Sequence, residues 1–120
     1  MSLRWSEEQY NAYVRRGQPA PISEQAWQRT IQRLLDQHGY SYRYHTWNSR
    51  RSPSGFPDLI AVHHLAGRDL LAIELKTDVG QVTPAQAAWL AALAGCTGVV
   101  ADIWRPSMLE EIAARLRGTA

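Results

Sequence analysis

The chain of 120 residues has little cysteine, little lysine and no long apolar run. Its single cysteine, Cys96, excludes a disulfide within the chain and suits a reducing compartment, where we expect it to be a small buried residue. No apolar stretch approaches the roughly 20 residues of a membrane-spanning helix, and the N-terminus lacks the apolar core of a signal peptide. We therefore expect a soluble, cytoplasmic protein with no membrane partner.

Net charge is also small. Thirteen basic residues against eleven acidic ones give a formal net charge of +2. This excludes a strongly basic tail of the histone type and leaves a mild bias that suits a polyanion. Because 45% of the residues are hydrophobic, the chain can bury the core of one ordinary globular domain.

The one lysine stands beside a carboxylate at the end of an apolar run. Lys76 follows Glu74 by two residues, and Asp58 stands directly before a second apolar run, residues 59–62. Side chains at positions i and i+2 of a strand point to the same face of a sheet. Charges at the ends of buried strands are costly unless they are paired or bind a metal. We therefore expect three charges to meet on one small sheet and to form a functional site.

The pattern around these charges predicts an α/β fold with a mixed central sheet flanked by helices. Residues 58–64 and 69–76 predict an antiparallel hairpin with both faces covered, and a strand, helix, strand order predicts a parallel neighbour. The first core helix is capped by Ser23 and buries Trp27, Ile31, Leu34 and Leu35. The further predicted elements are strands over 40–47 and 98–104, a helix from Pro84 to before Gly95, and a last helix after a capping box of Ser107 and Glu110.

The predicted order is αβββαβ, with an extra helix at each end. The N-terminal helix spans Ser6 to Gly17, and Pro19 and Pro21 interrupt the chain after it. We divide the chain into a helical N-terminal appendage, residues 1–21, and one domain, residues 22–120.

Two carboxylates at neighbouring strand ends offer the hard oxygen ligands that bind Mg²⁺ or Mn²⁺. A lysine on the same face can orient the attacking water and offset charge that builds up on phosphorus. Asp58, Glu74 and Lys76 therefore predict metal-assisted hydrolysis of phosphodiesters.

These residues carry a resemblance to a nuclease family. Pro57-Asp58 followed by Glu74-Leu75-Lys76 resembles the PD-(D/E)xK superfamily. The wider pattern, which includes Gly55-Phe56-Pro57-Asp58, Thr83-Pro84-Ala85-Gln86 and Trp104-Arg105-Pro106, resembles the small VRR-NUC nucleases of bacteriophages and bacteria. The resemblance implies a restriction-endonuclease-like fold and a Mg²⁺-dependent DNA endonuclease, typically a homodimer, that cuts branched DNA such as Holliday junctions or flaps. It also implies a cytoplasmic setting, in a bacterium or in a phage-infected host.

The resemblance also implies a role for each site residue. Asp58, Glu74 and the Leu75 carbonyl would hold the metal, and Lys76 would act on the water. Glu24 would correspond to the helical glutamate that reaches the metal directly or through water, and Gln86 to a polar residue of the following helix.

Two of these roles have a structural alternative. Glu24 lies in the first turn of its helix, where a carboxylate complements the helix dipole. Gln86 completes a capping box with Thr83. The residues alone leave both alternatives open.

The loop before Asp58 predicts the contact with nucleic acid. It contains Arg50, Arg51, Ser54 and Gly55, so that a phosphate at the acidic pair would pass guanidinium groups and backbone amides. His45 at the end of the preceding strand is a further candidate for DNA contact or for support of the site, or alternatively pairs with a polar group of the core. His63 and His64 are adjacent in a predicted strand, and we expect them to point to opposite faces and not to share a metal.

Two rival functions are compatible with the same residues. One is a DNA-binding or assembly module of the same fold without activity, against which the complete set of Asp58, Glu74 and Lys76 argues. The other is a nuclease with another target, either RNA or a specific DNA sequence. The chain has little room for a separate target-reading domain, which favours recognition of DNA shape.

Overall fold

The computed structural model describes residues 22–46 and 53–118, in which helices flank a four-stranded sheet. The strands are β1 (Tyr42–His45), β2 (Leu59–Val62), β3 (Leu70–Leu75) and β4 (Val99–Trp104). The helices are α1 (Glu24–Gln37), α2 (Pro84–Ala94) and α3 (Leu109–Gly118). The order α1-β1-β2-β3-α2-β4 is the predicted αβββαβ core, followed by the predicted C-terminal helix.

The sheet is mixed, in the spatial order β1-β2-β3-β4. Strands β1 and β2 pair antiparallel, as do β2 and β3, whereas β4 runs parallel to β3. The predicted hairpin and the predicted parallel neighbour are therefore both confirmed. Because β3 and β4 end together, with Leu75 opposite Trp104, the elements that follow them begin at one edge of the sheet.

Helix α1 is fixed to that edge at its first turns. The Ser23 hydroxyl accepts a hydrogen bond from the Ala26 N–H at 3.1 Å and so caps the helix. The Trp27 indole N–H donates to the Trp104 carbonyl at 3.0 Å, which ties α1 to the end of β4. The side chain of Trp27 is buried, and the first turn of α1 is therefore held beside the ends of β3 and β4.

One face of the sheet packs against α1 and α3 in a continuous core. The core is formed by residues that recur at helical spacing in the helices and alternate in β2 and β3. Its buried members include Trp27, Ile31, Leu35, Leu59, Ala61, Leu71, Ile73, Leu75, Ile112 and Leu116. Three of the four residues predicted as the buried stripe of α1 are fully buried, and Leu34 packs against the core while partly exposed.

The second face is covered less completely than predicted. Helix α2 packs against β4 and β3, and in β2 only the core side is buried, because Ile60 is half-buried and Val62 is exposed. The expectation that both faces of β2 are covered is therefore wrong. Pairing with β1 and β3 satisfies the N–H and C=O groups of the β2 backbone. No helix over the exposed face of β2 is needed for these hydrogen bonds.

Two local predictions are also corrected. Ser107 lies inside a short 3-10 turn, Pro106–Met108, and its N–H donates to Asp78 Oδ1 at 2.9 Å, so α3 begins at Leu109 and not after a Ser107 cap. Cys96 is exposed, because it lies in the turn that follows α2 and not in the core.

Some predictions lie outside the described residues. They are the helix over Ser6 to Gly17, the appendage over residues 1–21, and the arginines Arg50 and Arg51. Within residues 22–46 and 53–118, no helix combines the length and the hydropathy that a bilayer crossing requires.

Candidate active site

The antiparallel register of β2 and β3 brings Asp58 beside Glu74. Leu59 lies opposite Ile73, and the next step along the two strands places Asp58 across from Glu74. The Leu75 N–H donates to Asp58 Oδ2 at 3.0 Å, which fixes the Asp58 carboxylate against β3. The sequence predicts that the two acids meet, and the pairing of β2 with β3 is what brings them together.

Two nitrogen donors approach a single oxygen of Glu74. Gln86 Nε2 donates to Glu74 Oε2 at 3.0 Å, and Lys76 Nζ lies 3.8 Å from the same oxygen. Glu74 is only 3% exposed. The hydrogen bond from the Gln86 side-chain amide is short enough to orient the carboxylate. The lysine makes a longer contact, and its ammonium group keeps donors for another partner.

Burial is the main cause of a large pKa shift at Glu74. Burial, together with the charge of Asp58 and a hydrogen bond with that side chain, raises the pKa of Glu74 to about 8, although Lys76 opposes the shift. Two carboxylates this close repel each other unless a proton or a cation lies between them. The pair is therefore built to hold one positive charge.

A cavity of about 190 Å³ opens at this edge of the sheet. We call it the acidic cavity. It is lined by Glu24, Asp58, Glu74, Leu75, Lys76, Thr77 and Gln86. All the residues predicted to act in catalysis or to hold a metal thus lie in the wall of one cavity.

Gln86 makes both of the contacts that the sequence left as alternatives. Its side-chain Oε1 accepts from the Thr83 backbone N–H at 2.9 Å, and its backbone N–H donates to the Thr83 hydroxyl at 3.1 Å. Together these two bonds form a complete capping box. Because Oε1 is used by the cap, the amide nitrogen points towards Glu74. The cap therefore orients the group that reaches the site.

The loop before Asp58 forms a second cavity, of about 310 Å³, which we call the loop cavity. Its lining includes Ser54 and Gly55, and it shares Asp58 and Gln86 with the acidic cavity. Two of the residues predicted to contact nucleic acid therefore lie directly beside the acidic pair.

A family model for the VRR-NUC domain matches residues 7–103 of the chain. The chain belongs to the VRR-NUC family. Its coarse function, that of a nuclease, follows from this membership. Comparison with curated proteins and with solved structures gave no significant match.

The structure does not bring every predicted residue to the acidic cavity of this VRR-NUC protein. His45 lines a different cavity, against α1, and burial lowers its pKa although the charge of Asp58 raises it. A neutral imidazole contributes no charge to phosphate binding. Arg50 and Arg51 lie outside the described residues, so their predicted contacts with DNA stay predictions.

Sequence reasoning assigned no role to two residues at the site. Thr77 lines the acidic cavity, is 4% exposed, and its hydroxyl has no hydrogen-bond partner among the described residues. Arg105 donates from Nη1 to the carbonyls of Thr77 and Gly80, each at 2.7 Å, and so holds the turn that follows Lys76. The signal for Arg105 was its place at the end of β4, next to the end of β3, but its partners are backbone atoms that no residue pattern marks.

A larger cavity lies at the opposite edge of the sheet, where β2 ends and β3 begins. It measures about 810 Å³, and its lining includes Gly39, His63, His64 and Arg68. His63 and His64 follow the last residue of β2, and their rings stack at 4.7 Å. The expectation that they point to opposite faces is wrong, because the strand ends at Val62 and the Gly39 carbonyl binds the His64 N–H at 2.9 Å.

The acidic pair suits a hard divalent cation that keeps several waters. Across residues 22–46 and 53–118, no three His, Cys, Asp or Glu side chains are placed to hold a metal by themselves. Mg²⁺ is usually bound by one or two carboxylates, with water and substrate phosphate in the other positions. Asp58 and Glu74, with Leu75 in the same cavity wall, fit this pattern.

Proposed function

We propose that this VRR-NUC protein is a divalent-metal-dependent endodeoxyribonuclease that selects branched DNA, such as junctions or flaps, by its shape. The observation that supports this most directly is the Asp58–Glu74 pair, where burial and mutual repulsion raise the pKa of Glu74 to about 8. Such a pair binds a positive charge strongly, and the neighbouring Lys76 supplies the donor that phosphodiester hydrolysis requires.

The metal would be held by Asp58, Glu74 and the Leu75 carbonyl, with Glu24 in reach through water. Bound Mg²⁺ or Mn²⁺ supplies a Lewis acid and a more acidic water molecule. The Lys76 amine, which keeps donors beyond its contact with Glu74, orients the attacking water and offsets the negative charge that develops on the phosphoryl oxygens. Gln86 holds Glu74 in position while this occurs.

The loop cavity gives the scissile strand its approach to the acidic pair. Ser54 and Gly55 would contact a phosphate there, and Arg50 and Arg51, which precede them in the sequence, would contribute charge. Contacts of this kind with phosphates carry no base-sequence information, which favours selection by shape.

The test measures cleavage of labelled single strand, linear duplex, flap and four-way junction, with a single strand of RNA beside them, in Mg²⁺, in Mn²⁺ and in a chelator. The wild type should cut branched DNA most readily and only with a divalent metal. Lys76→Ala and Asp58→Asn should each lower cleavage at least about a hundredfold. Asp69→Asn is the matched control, because it makes the same change at an exposed carboxylate before β3, at the opposite edge.

Three outcomes would contradict the proposal. If no substrate is cleaved, the protein is a binding module without activity. Preference for RNA would mean a nuclease with another target. Undiminished cleavage by both variants would mean that Asp58 and Lys76 do not form the catalytic site.

We further propose that the protein acts as a homodimer, because symmetric cutting of two strands needs two sites. It would work in the cytoplasm, in a bacterium or in a host that carries a phage. Light scattering of the purified protein, alone and with a four-way junction, tests the dimer. A single-subunit mass under both conditions would exclude it.

A further inference from the structure

One flank of helix α1 is polar and contains no carboxylate. We call it the arginine flank, and it consists of Gln25, Gln28, Arg29, Gln32 and Arg33. Together with His45 of β1 these residues enclose a cavity of about 390 Å³. The apolar stripe of α1 faces the sheet, so this flank lies to the side of the helix, over the edge strand β1.

Neither arginine of the flank is neutralised within the described part of the chain. Arg29 and Arg33 are exposed and take part in no ion pair there. Asp36, the exposed acid of the same helix, is bound instead to Arg43 at 2.7 Å. Among residues 22–46 and 53–118, no folding contact accounts for these two positive charges.

Helix position does not account for them either. A basic residue in the last turn of a helix complements the negative end of the helix dipole. Arg115 and Arg117 occupy that position in α3, whereas Arg29 and Arg33 lie in the middle of α1. The two arginines of α3 thus have a structural reason that the two of α1 lack.

The arginine flank adjoins the acidic cavity by two routes. Along α1, Arg29 and Arg33 follow Glu24 by roughly 8 and 14 Å at 1.5 Å per residue. Along the sheet, His45 is followed by Thr46, whose N–H donates to the Asp58 carbonyl at 2.8 Å. A DNA strand that is bound at the Asp58–Glu74 pair and runs towards β1 would pass this flank next.

The charges of the site favour such a surface. Three carboxyl groups line the acidic cavity against one lysine, so without a bound metal the cavity does not attract a polyanion. Contacts of arginine and lysine with phosphates supply most of the affinity of proteins for DNA. Arginine and glutamine donors are typical of contacts with the sugar-phosphate backbone.

We propose that the arginine flank binds the phosphate backbone of the DNA strand that leads to the Asp58–Glu74 pair. Arg29 and Arg33 each bind a phosphate, the glutamine amides bind neighbouring phosphate or sugar oxygens, and the His45 ring adds contact surface. This inference rests on the proposed function, because it takes DNA as the ligand of the site. It adds a contact surface on a helix that the sequence marked only through Glu24.

The test measures binding and not cleavage. Fluorescence anisotropy of a labelled four-way junction and a labelled duplex is recorded over a series of salt concentrations, with every protein in a Lys76→Ala background. The flank variant is R29Q/R33Q. Its matched control is R115Q/R117Q, which removes the same charge at the far end of α3.

Loss of two phosphate contacts should raise the Kd of the flank variant about tenfold and lower the slope of log Kd against log salt by about 2. The control should match the background protein in both quantities. R29K/R33K, which keeps the charge, should retain most of the slope. With Lys76 intact, R29Q/R33Q should raise KM and leave kcat nearly unchanged.

Equal Kd values and slopes for the flank variant and the control would overturn the inference, and so would failure of the background protein to bind DNA at low salt. The fate of the proposed function is separate. Cleavage that depends on Lys76 but not on the flank would reject the flank alone. Weaker DNA binding by R29Q/R33Q, in a protein that cuts nothing, would support the flank and reject the nuclease activity.

Discussion

Gln86 shows how one side chain can serve the fold and the site together. Its oxygen and backbone N–H close the cap of α2, and its amide nitrogen holds Glu74. The residue pattern predicted both contacts but could not decide between them, because an amide has a donor end and an acceptor end that can be used separately. Only the position of α2 above β3 shows that both ends are occupied.

Separate substitutions of Gln86 and of its cap partner Thr83 should distinguish the contribution to helix stability from the contribution to the site. Thr83→Ala removes the capping hydroxyl and should lower the free energy of unfolding by about 1 kcal/mol. Gln86→Ala should cost a similar amount and in addition lower cleavage of branched DNA about tenfold, since Glu74 loses its hydrogen bond. Urea unfolding and single-turnover cleavage measure the two effects. An equal loss of cleavage in both variants would mean that the amide acts only through the helix start.

At the same scale, the contacts that could be predicted are those that follow chain periodicity. Asp58, Glu74 and Lys76 were found because strand alternation places charges on one face. Thr77 and Arg105 were missed because their surroundings depend on two elements that are distant in sequence. His45 was placed near the acids along the chain, yet its side chain lines the cavity beside α1.

At the scale of elements, the loop before Asp58 fits closely against the start of α2. Gly55 has a φ of +84°, and a Cβ built there would lie 2.4 Å from the Ala85 carbonyl carbon and 2.7 Å from the Gln86 nitrogen. The loop cavity therefore depends on a residue without a side chain. The same contact links the loop to the helix that carries Gln86.

Gly55→Ala should disturb the site, and Gly67→Ala is its matched control. Both glycines have positive φ values, but a Cβ at Gly67 would meet nothing within 4 Å. Gly67→Ala should thus cost only the backbone strain, about 1 kcal/mol. Gly55→Ala should cost about 1 to 3 kcal/mol more, because backbone must move, and should also lower cleavage. Urea unfolding and cleavage assays would contradict this account if the two variants behaved alike.

The kinds of elements and their pairing could be predicted, but coverage of the sheet could not. The αβββαβ order followed from apolar periodicity and from the caps at Ser23 and Thr83. A continuous apolar run does not reveal whether a helix lies over it, which is why β2 was expected to be covered on both faces. The start of α3 was misplaced because Pro106 opens a 3-10 turn before the helix.

At the scale of the whole molecule, the acidic cavity should make stability depend on pH and, under the proposed function, on a divalent cation. In the absence of metal, the folded protein keeps a proton on Glu74 up to a pKa of about 8, against 4.5 for an ordinary glutamate. The folded state then binds more protons than the unfolded state between these two values. Stability from this group is complete below about pH 4.5 and is lost as the pH rises through about 8.

Under the proposed function a divalent cation should compete with that proton, so the effect of the cation on stability should have the opposite pH dependence. In a chelator, the contribution of Glu74 should lower the Tm between about pH 5 and about pH 9. With Mg²⁺ present the Tm should rise relative to the chelator, and this rise should grow over the same range as deprotonated Glu74 becomes available. Glu74→Gln should remove both effects, since its amide cannot titrate and is a weaker ligand.

Glu110→Gln, at an exposed carboxylate in the first turn of α3, is the control and should behave as the wild type does. Differential scanning fluorimetry at a series of pH values measures all three proteins. A Mg²⁺ effect independent of pH, or one that persists in Glu74→Gln, would mean that the cation binds somewhere other than the Asp58–Glu74 pair.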